Sequence, residues 1–238
     1  MKKINLFCLP FAGGSKYSYR DLEKIAPAGL NIIPLEYPGR GSRVRESFLM
    51  DIKSLVDDVY MAVEKPIDEG AYAIYGHSLG GIVAFFLVKK IIACGRTPPL
   101  HLFATGTSGP ASHRDKKKKY GLLSKKEFLD EVRRLDGLPE QILADEEMVS
   151  YFEPILRADF VLSETTDYIT EQPFEIPITV ITGTEEGMDA KDISMWQDET
   201  SSAVDFRKLP GKHFFIFQHP ECIIGIINEK LNPYYKIV

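Results

Sequence analysis

The chain has 238 residues, 44% hydrophobic and 26% charged, which fits one α/β domain with a sizeable core. A net charge of −5 gives no general attraction to nucleic acid or acidic membranes. Three cysteines, Cys8, Cys94 and Cys222, have no metal-ligand spacing, and each sits in an apolar run. They read as reduced core residues of a cytoplasmic protein, with no metal site.

Ile4 to Leu9 is a short apolar run that ends at Pro10 and the turn signal Gly13-Gly14-Ser15. Its brevity and its flanks suit a first strand rather than a signal peptide. Tyr17 to Ile25 suits a helix, and Leu30 to Tyr37 a second strand closed by Pro38-Gly39-Arg40-Gly41. From Met50 to Lys65, apolar residues recur at three- and four-residue steps, the signature of an amphipathic helix. Next comes Tyr75-Gly76-His77-Ser78-Leu79-Gly80-Gly81, with a β-forming run before it (from Ala71) and an apolar run after it (Ile82 to Ala93). That is the setting of a G-x-S-x-G nucleophile elbow, which places Ser78 at the apex of a sharp strand-to-helix turn. Leu100 to Thr105 is a further strand. Between about residues 111 and 170 strands give way to helical patterns, a Lys116–Lys119 run and a capping pair, Ser124 with Glu127. Strand and helix then alternate again: Ile178 to Thr182, a polar helix near Trp196, Val204 to Leu209, and a last helix from Cys222 to Leu231. The order predicts a mainly parallel sheet with helices on both faces, one domain over 1–238, and a helical lid inserted at 111–170. The lid's second helix runs from about Asp145 toward Leu162 with an interruption near Pro154, and Arg157 and Asp159 can pair within it.

A serine hydroxyl needs an adjacent base, usually a histidine held by a third group. His77 lies inside the elbow and His101 in a strand, whereas His113 opens the insertion. His219 suits a cap or a surface position at the last helix. His213 follows the last strand on a turn-rich loop, the place of the base in the α/β-hydrolase order Ser…acid…His. The acid belongs just past Ile178–Thr182, where Glu185, Glu186, Asp189 and Asp192 cluster. Glu186, three residues after Gly183, is the first choice and Asp189 the alternative. For the oxyanion hole, the N–H of Leu79 is one donor, and Ala12, or else Phe11, on the loop after the first strand is the other.

Leu9-Pro10-Phe11-Ala12-Gly13-Gly14-Ser15, Glu36-Tyr37-Pro38-Gly39-Arg40-Gly41 and Gly76-His77-Ser78-Leu79-Gly80-Gly81 together resemble the type II thioesterases of nonribosomal peptide and polyketide synthesis. The resemblance continues through Gly137-Leu138-Pro139 and Leu156-Arg157-Ala158-Asp159 to Gly211-Lys212-His213-Phe214, nearly the whole chain. It implies an α/β-hydrolase fold and hydrolysis of acyl thioesters on the phosphopantetheine arm of acyl or peptidyl carrier proteins, which frees stalled assembly lines. It also implies a triad of Ser78, His213 and a loop acid, with no cofactor of the enzyme's own. Members usually carry Asp at the acid position, and this chain offers Glu186. Lys116–Lys119 with Arg114 could steer an acidic carrier protein, or form a solvated basic loop. The expected protein is a monomer in the cytoplasm, away from membrane and nucleic acid. A small-molecule esterase or lipase would share the triad, and a non-catalytic carrier-binding module would have no need of an elbow.

Overall fold

The computed structural model describes residues 3–113, 119–135, 137, 138, 140–164 and 168–235. Six strands form one sheet: β1 (Ile4–Leu9), β2 (Leu30–Pro34), β3 (Tyr72–His77), β4 (Leu102–Thr105), β5 (Ile178–Gly183) and β6 (Asp205–Leu209). Their spatial order is β2-β1-β3-β4-β5-β6, and every pairing is parallel. Parallel sheets need cover on both faces, and the strand residues alternate accordingly. Phe7, Leu9, Tyr72, Ile74, Leu102, Ala104, Ile178 and Val180 face one core. Leu6, Cys8, Ala73, Tyr75, Phe103 and Ile181 face the other.

The helices divide between those faces. On the second lie α1 (Arg20–Ile25) and α8 (Pro220–Leu231), supplying Leu22, Ile223, Ile224 and Ile227 to its core. On the first lie α2 (Ile52–Asp68) and α3 (Leu79–Ala93). The apolar steps of α2 put Leu55, Val56, Val59 and Val63 into the core, and Asp51 caps its N-terminus by accepting the N–H of Ser54. α3 is apolar nearly all round, which fits its buried place behind the elbow.

Between β4 and β5 the chain forms α4 (Lys125–Arg134), α5 (Glu140–Leu143) and α6 (Glu146–Glu164). Ser124 and Glu127 close the capping box expected at the start of α4. These helices share a small cluster of Phe128, Val132 and Leu156, against which Ala12, Phe152 and Phe160 pack. Unlike the expected interruption, α6 runs unbroken through Pro154. The proline removes one backbone donor, and burial of Val149, Ile155 and Leu156 on its two sides offsets that loss. The basic residues 114–118 lie outside the described residues, and Lys119 is exposed. After β5 come α7 (Ala190–Ser194) and a 3₁₀ turn, Met195–Glu199, in which Trp196 is fully buried.

The cysteines divide differently from the expectation. Cys8 is a buried strand residue, whereas Cys94 and Cys222 are exposed. Cys94 caps the end of α3, and Cys222 lies on an outward position of α8, so an apolar neighbourhood in sequence did not make either a core residue.

Candidate active site

The strand order reverses between β1 and β3, and ligands of open parallel sheets gather at the carboxyl ends of strands beside such a switch. Here the loops leaving β1 and β3 carry the residues 10–15 and Ser78. Ser78 has φ 54° and ψ −121°, and among the described residues it is the only non-glycine with positive φ. A side chain tolerates that conformation only when its surroundings impose it. The glycines make the turn possible. A Cβ on Gly76 would lie 2.1 Å from the carbonyl oxygen of Gly80, and one on Gly80 would lie 2.2 Å from that of Leu9. The N–H of Ser78 donates to the carbonyl of Thr105 at 2.8 Å, which ties the elbow to β4.

His213 stands on the loop after β6. Its Nε2 lies 3.0 Å from Ser78 Oγ, and its Nδ1 lies 2.7 Å from Glu186 Oε1. The other oxygen of Glu186 accepts the N–H of Gly183 at 2.5 Å. The Glu186 side chain is only 2% exposed, so its carboxylate is held by a histidine and a backbone amide away from water. The tight approach of the two loops requires Gly183, where a Cβ would fall 2.5 Å from the carbonyl oxygen of Gly211. The other acids of the loop go elsewhere. Asp189 caps α7 by accepting the N–H of Lys191, and Glu185 is exposed. The structure therefore brings Ser78, His213 and Glu186 into one hydrogen-bonded chain and leaves Asp189 out of it.

Ala12, Phe11 and Leu79 line the cavity above Ser78. Among the described residues, none of the Phe11, Ala12 and Leu79 N–H groups donates to another protein group, so this observation does not separate Ala12 from Phe11 as the donor that joins Leu79. The cavity holds about 600 Å³ and is roofed by Leu135, Leu156 and Phe160 of the inserted segment.

The remaining histidines separate clearly. His77 is fully buried, with its Nδ1 3.0 Å from the Thr105 hydroxyl. Its ring lies 4.9 Å from that of His213, so it forms the floor beneath the base. Burial, and then the neighbouring His213, hold it well below the usual histidine range, and it stays neutral there. His101 precedes β4, stacks on Phe103 and bonds Thr179, and burial lowers its pKa to about 4. His219 stands before α8, but its ring bonds the carbonyl of Pro210 rather than the helix amides.

Sequence reasoning missed one set of contacts. Asp159 pairs with Arg40, 119 residues away, and not with Arg157. Arg157 instead bonds Glu153 and the carbonyls of Tyr120 and Leu123. Two neighbours in sequence on a helix point about 100° apart, and residues two apart, such as Arg157 and Asp159, about 160° apart, so their separation argued against the expected pair.

The geometry has close relatives. Gramicidin S biosynthesis protein GrsT of Aneurinibacillus migulanus is 32% identical over 96% of this chain and 89% of its own length. The human medium-chain S-acyl fatty acid synthase thioesterase is 32% identical over 98% of this chain and 86% of its own. Among solved structures, ClbQ from the colibactin NRPS/PKS pathway superposes with a TM-score of 0.90 at 30% identity, covering 99% of both chains. The type II thioesterase BorB from the borrelidin biosynthetic cluster gives 0.87 at 30% identity, over 96% of this chain and 93% of its own. These overlaps place the chain in the α/β-hydrolase fold. The family model described as Thioesterase domain matches residues 4–231, and the chain belongs to the thioesterase family.

Proposed function

We propose that the protein hydrolyses acyl thioesters on the phosphopantetheine arm of acyl or peptidyl carrier proteins, and so clears stalled nonribosomal peptide or polyketide assembly lines. The observation that carries the reading is the unbroken chain from Glu186 through His213 to Ser78, at 2.7 and 3.0 Å, beneath a roofed cavity of about 600 Å³. The names of its relatives, from gramicidin S biosynthesis to the colibactin pathway, support the assembly-line setting.

In this reading His213 Nε2 takes the Ser78 proton as the oxygen attacks the thioester carbon. Glu186 holds the ring by its Nδ1–H and stabilises the imidazolium that forms. Ala12 and Leu79 donate to the oxyanion, and each such donor is worth about 3 kcal/mol in the transition state. The C–S bond breaks, and the arm's sulfur leaves with the proton that His213 returns. Water then attacks the acyl-Ser78 ester, giving up a proton to His213; the bond from the acyl carbon to Ser78 Oγ breaks, His213 returns that proton to Oγ, and the free acid departs. Every proton and acyl transfer runs through these side chains, and the phosphopantetheine belongs to the partner. No helix of the described residues is long and apolar enough to cross a membrane. We place the enzyme in the cytoplasm as a monomer, where carrier proteins meet it.

Ser78→Ala, assayed on an acyl-loaded carrier protein, tests the reading directly. Hydrolysis is expected to fall by roughly 10⁴-fold or more while the protein still folds. An unchanged rate would overturn the assignment of the nucleophile. Equal kcat/KM for the carrier thioester and for a soluble ester of the same acid would favour a general esterase instead.

A further inference from the structure

Asp159 is a buried carboxylate that the chemistry above does not use, and it is only 1% exposed. Its Oδ2 accepts the N–H of Gly13 at 2.7 Å and Nη1 of Arg40 at 2.5 Å. Its Oδ1 accepts Nη2 of Arg40 at 2.6 Å, so the pairing is bidentate. Arg40 is itself buried, with Nη1 3.4 Å from the carbonyl of Gly14 and its guanidinium 5.4 Å from the centre of the Tyr37 ring. One carboxylate on α6 thus joins the loop after β1 to the loop after β2.

The loop after β1 is a β-turn over Phe11–Gly14, closed by the Gly14 N–H donating to the Phe11 carbonyl at 2.8 Å. Gly13 occupies its third position with φ 77°, the conformation that a type II turn requires there. The closing bond turns the Phe11 carbonyl inward. In a trans peptide the Ala12 N–H of the same unit then points outward, away from the turn. The central unit, between Ala12 and Gly13, is the one whose reversal interconverts types I and II, and glycine tolerates both. Its N–H is the group that Asp159 accepts. A carboxylate gripped at both oxygens by a buried guanidinium cannot follow such a reversal.

We propose that Arg40 and Asp159 are positioning residues for the oxyanion hole. Their pair holds the central Ala12–Gly13 unit in place, and the closing bond from Gly14 to the Phe11 carbonyl carries that restraint to the Phe11–Ala12 unit, whose N–H faces the acyl oxygen. The inference rests on the roles given to Ser78 and Ala12 above. A buried ion pair adds little net stability compared with apolar packing, so its place at this turn is better explained by geometry. Preorganised donors are worth most where they need not reorient during reaction.

The test uses the full chain, a short-chain acyl thioester and an alkyl boronic acid that forms a tetrahedral adduct on Ser78. Asp159→Asn keeps an oxygen for Gly13 but offers Arg40 neither charge nor a second acceptor. Arg40→Lys keeps the charge but loses the fork. In both, kcat should fall about 10- to 100-fold with KM nearly unchanged, and the boronate inhibition constant should rise by the same factor. Arg40→Lys should be the milder. Folded variants that keep both kcat and boronate affinity, or that lose only KM, overturn the proposal. If Asp159→Asn fails to fold, Arg40→Lys decides by the same two readings. Wild-type hydrolysis that survives Ser78→Ala would sink the functional reading itself. Ser78-dependent hydrolysis with unimpaired pair variants sinks the positioning role alone.

Discussion

The loops at the ends of β1, β3, β5 and β6 and the helices inserted between β4 and β5 face one cavity, yet different forces hold them. The loops after β3, β5 and β6 are tied by backbone bonds, and the turn after β1 by its own Gly14–Phe11 bond together with Asp159 of α6. Ser78 N–H bonds the Thr105 carbonyl, Thr184 N–H bonds that of Leu209, and Glu185 N–H bonds that of Gly211. Glycines let these segments approach closely enough to do so. The inserted helices are fixed by side chains: a small cluster around Phe128, Val132 and Leu156, the contacts of Arg157, and the Arg40–Asp159 pair. The part that carries the chemistry is the part in which few side chains could change without moving the backbone. The part that shapes the cavity rests on side-chain contacts, and through Asp159 one of them reaches back to the turn after β1.

The largest effect should come from breaking the backbone frame. In Gly80→Ala the new Cβ meets the carbonyl oxygens of Leu9 at 2.2 Å and Pro10 at 2.8 Å, and neither strand end can retreat without disturbing β1. We expect loss of soluble folded protein, read by yield and thermal melting. Gly225→Ala is the control. It lies in α8 with nothing within 4 Å of the new Cβ, and should be neutral or raise stability by up to about 1 kcal/mol. A folded, active Gly80→Ala protein would show that the elbow is not held by sterics.

A smaller but still severe effect should follow from loss of the acid. Glu186→Gln leaves the side chain in place but removes the charge that stabilises the His213 imidazolium, and kcat should fall roughly 10²- to 10⁴-fold. Asp189→Asn keeps the N-cap of α7 and lies outside the hydrogen-bonded chain, so kcat should stay within about two-fold. The reverse pattern would move the acid from Glu186 to Asp189. Steady-state rates on one thioester decide between them.

The same division governs what the sequence made legible. Ser78, its glycines and the strand before it could be read directly, because a backbone turn with strict steric demands leaves its demands in neighbouring residues. The position of His213 followed from chain order, and Glu186 from its step past Gly183, although four carboxylates shared that loop. Side-chain partnerships across long separations left no such trace. Arg40 and Asp159 stood in recognisable motifs, yet nothing local told that they meet, or that Gly13 joins them. The rings of His77 and His213 likewise meet only because β3 and the loop after β6 end at the same edge of the sheet. Exposure of Cys94 and Cys222 was hidden for a similar reason: an apolar run says which segment is buried, not which side of a helix each residue takes.

The mildest test compares two neighbours on α6. Asp159 points into the turn after β1, whereas the ring of Phe160 meets Tyr120 and Phe128 edge-to-face at 4.9 and 5.4 Å and lines the cavity. Consecutive residues on a helix diverge by about 100°, so one helix serves two purposes at adjacent positions. Phe160→Ala should enlarge the cavity without touching the Phe11–Gly14 turn. The ratio of kcat/KM between a long and a short acyl thioester should then shift by about tenfold toward the long chain, the scale of one methylene in an apolar pocket. Labelling of Ser78 by a small phosphonate, which needs the elbow but not the roof, should keep its wild-type rate. A uniform loss across all chain lengths, matched by slower labelling, would mean that Phe160 belongs to the backbone frame, and the division between the two regions would then fall elsewhere on α6.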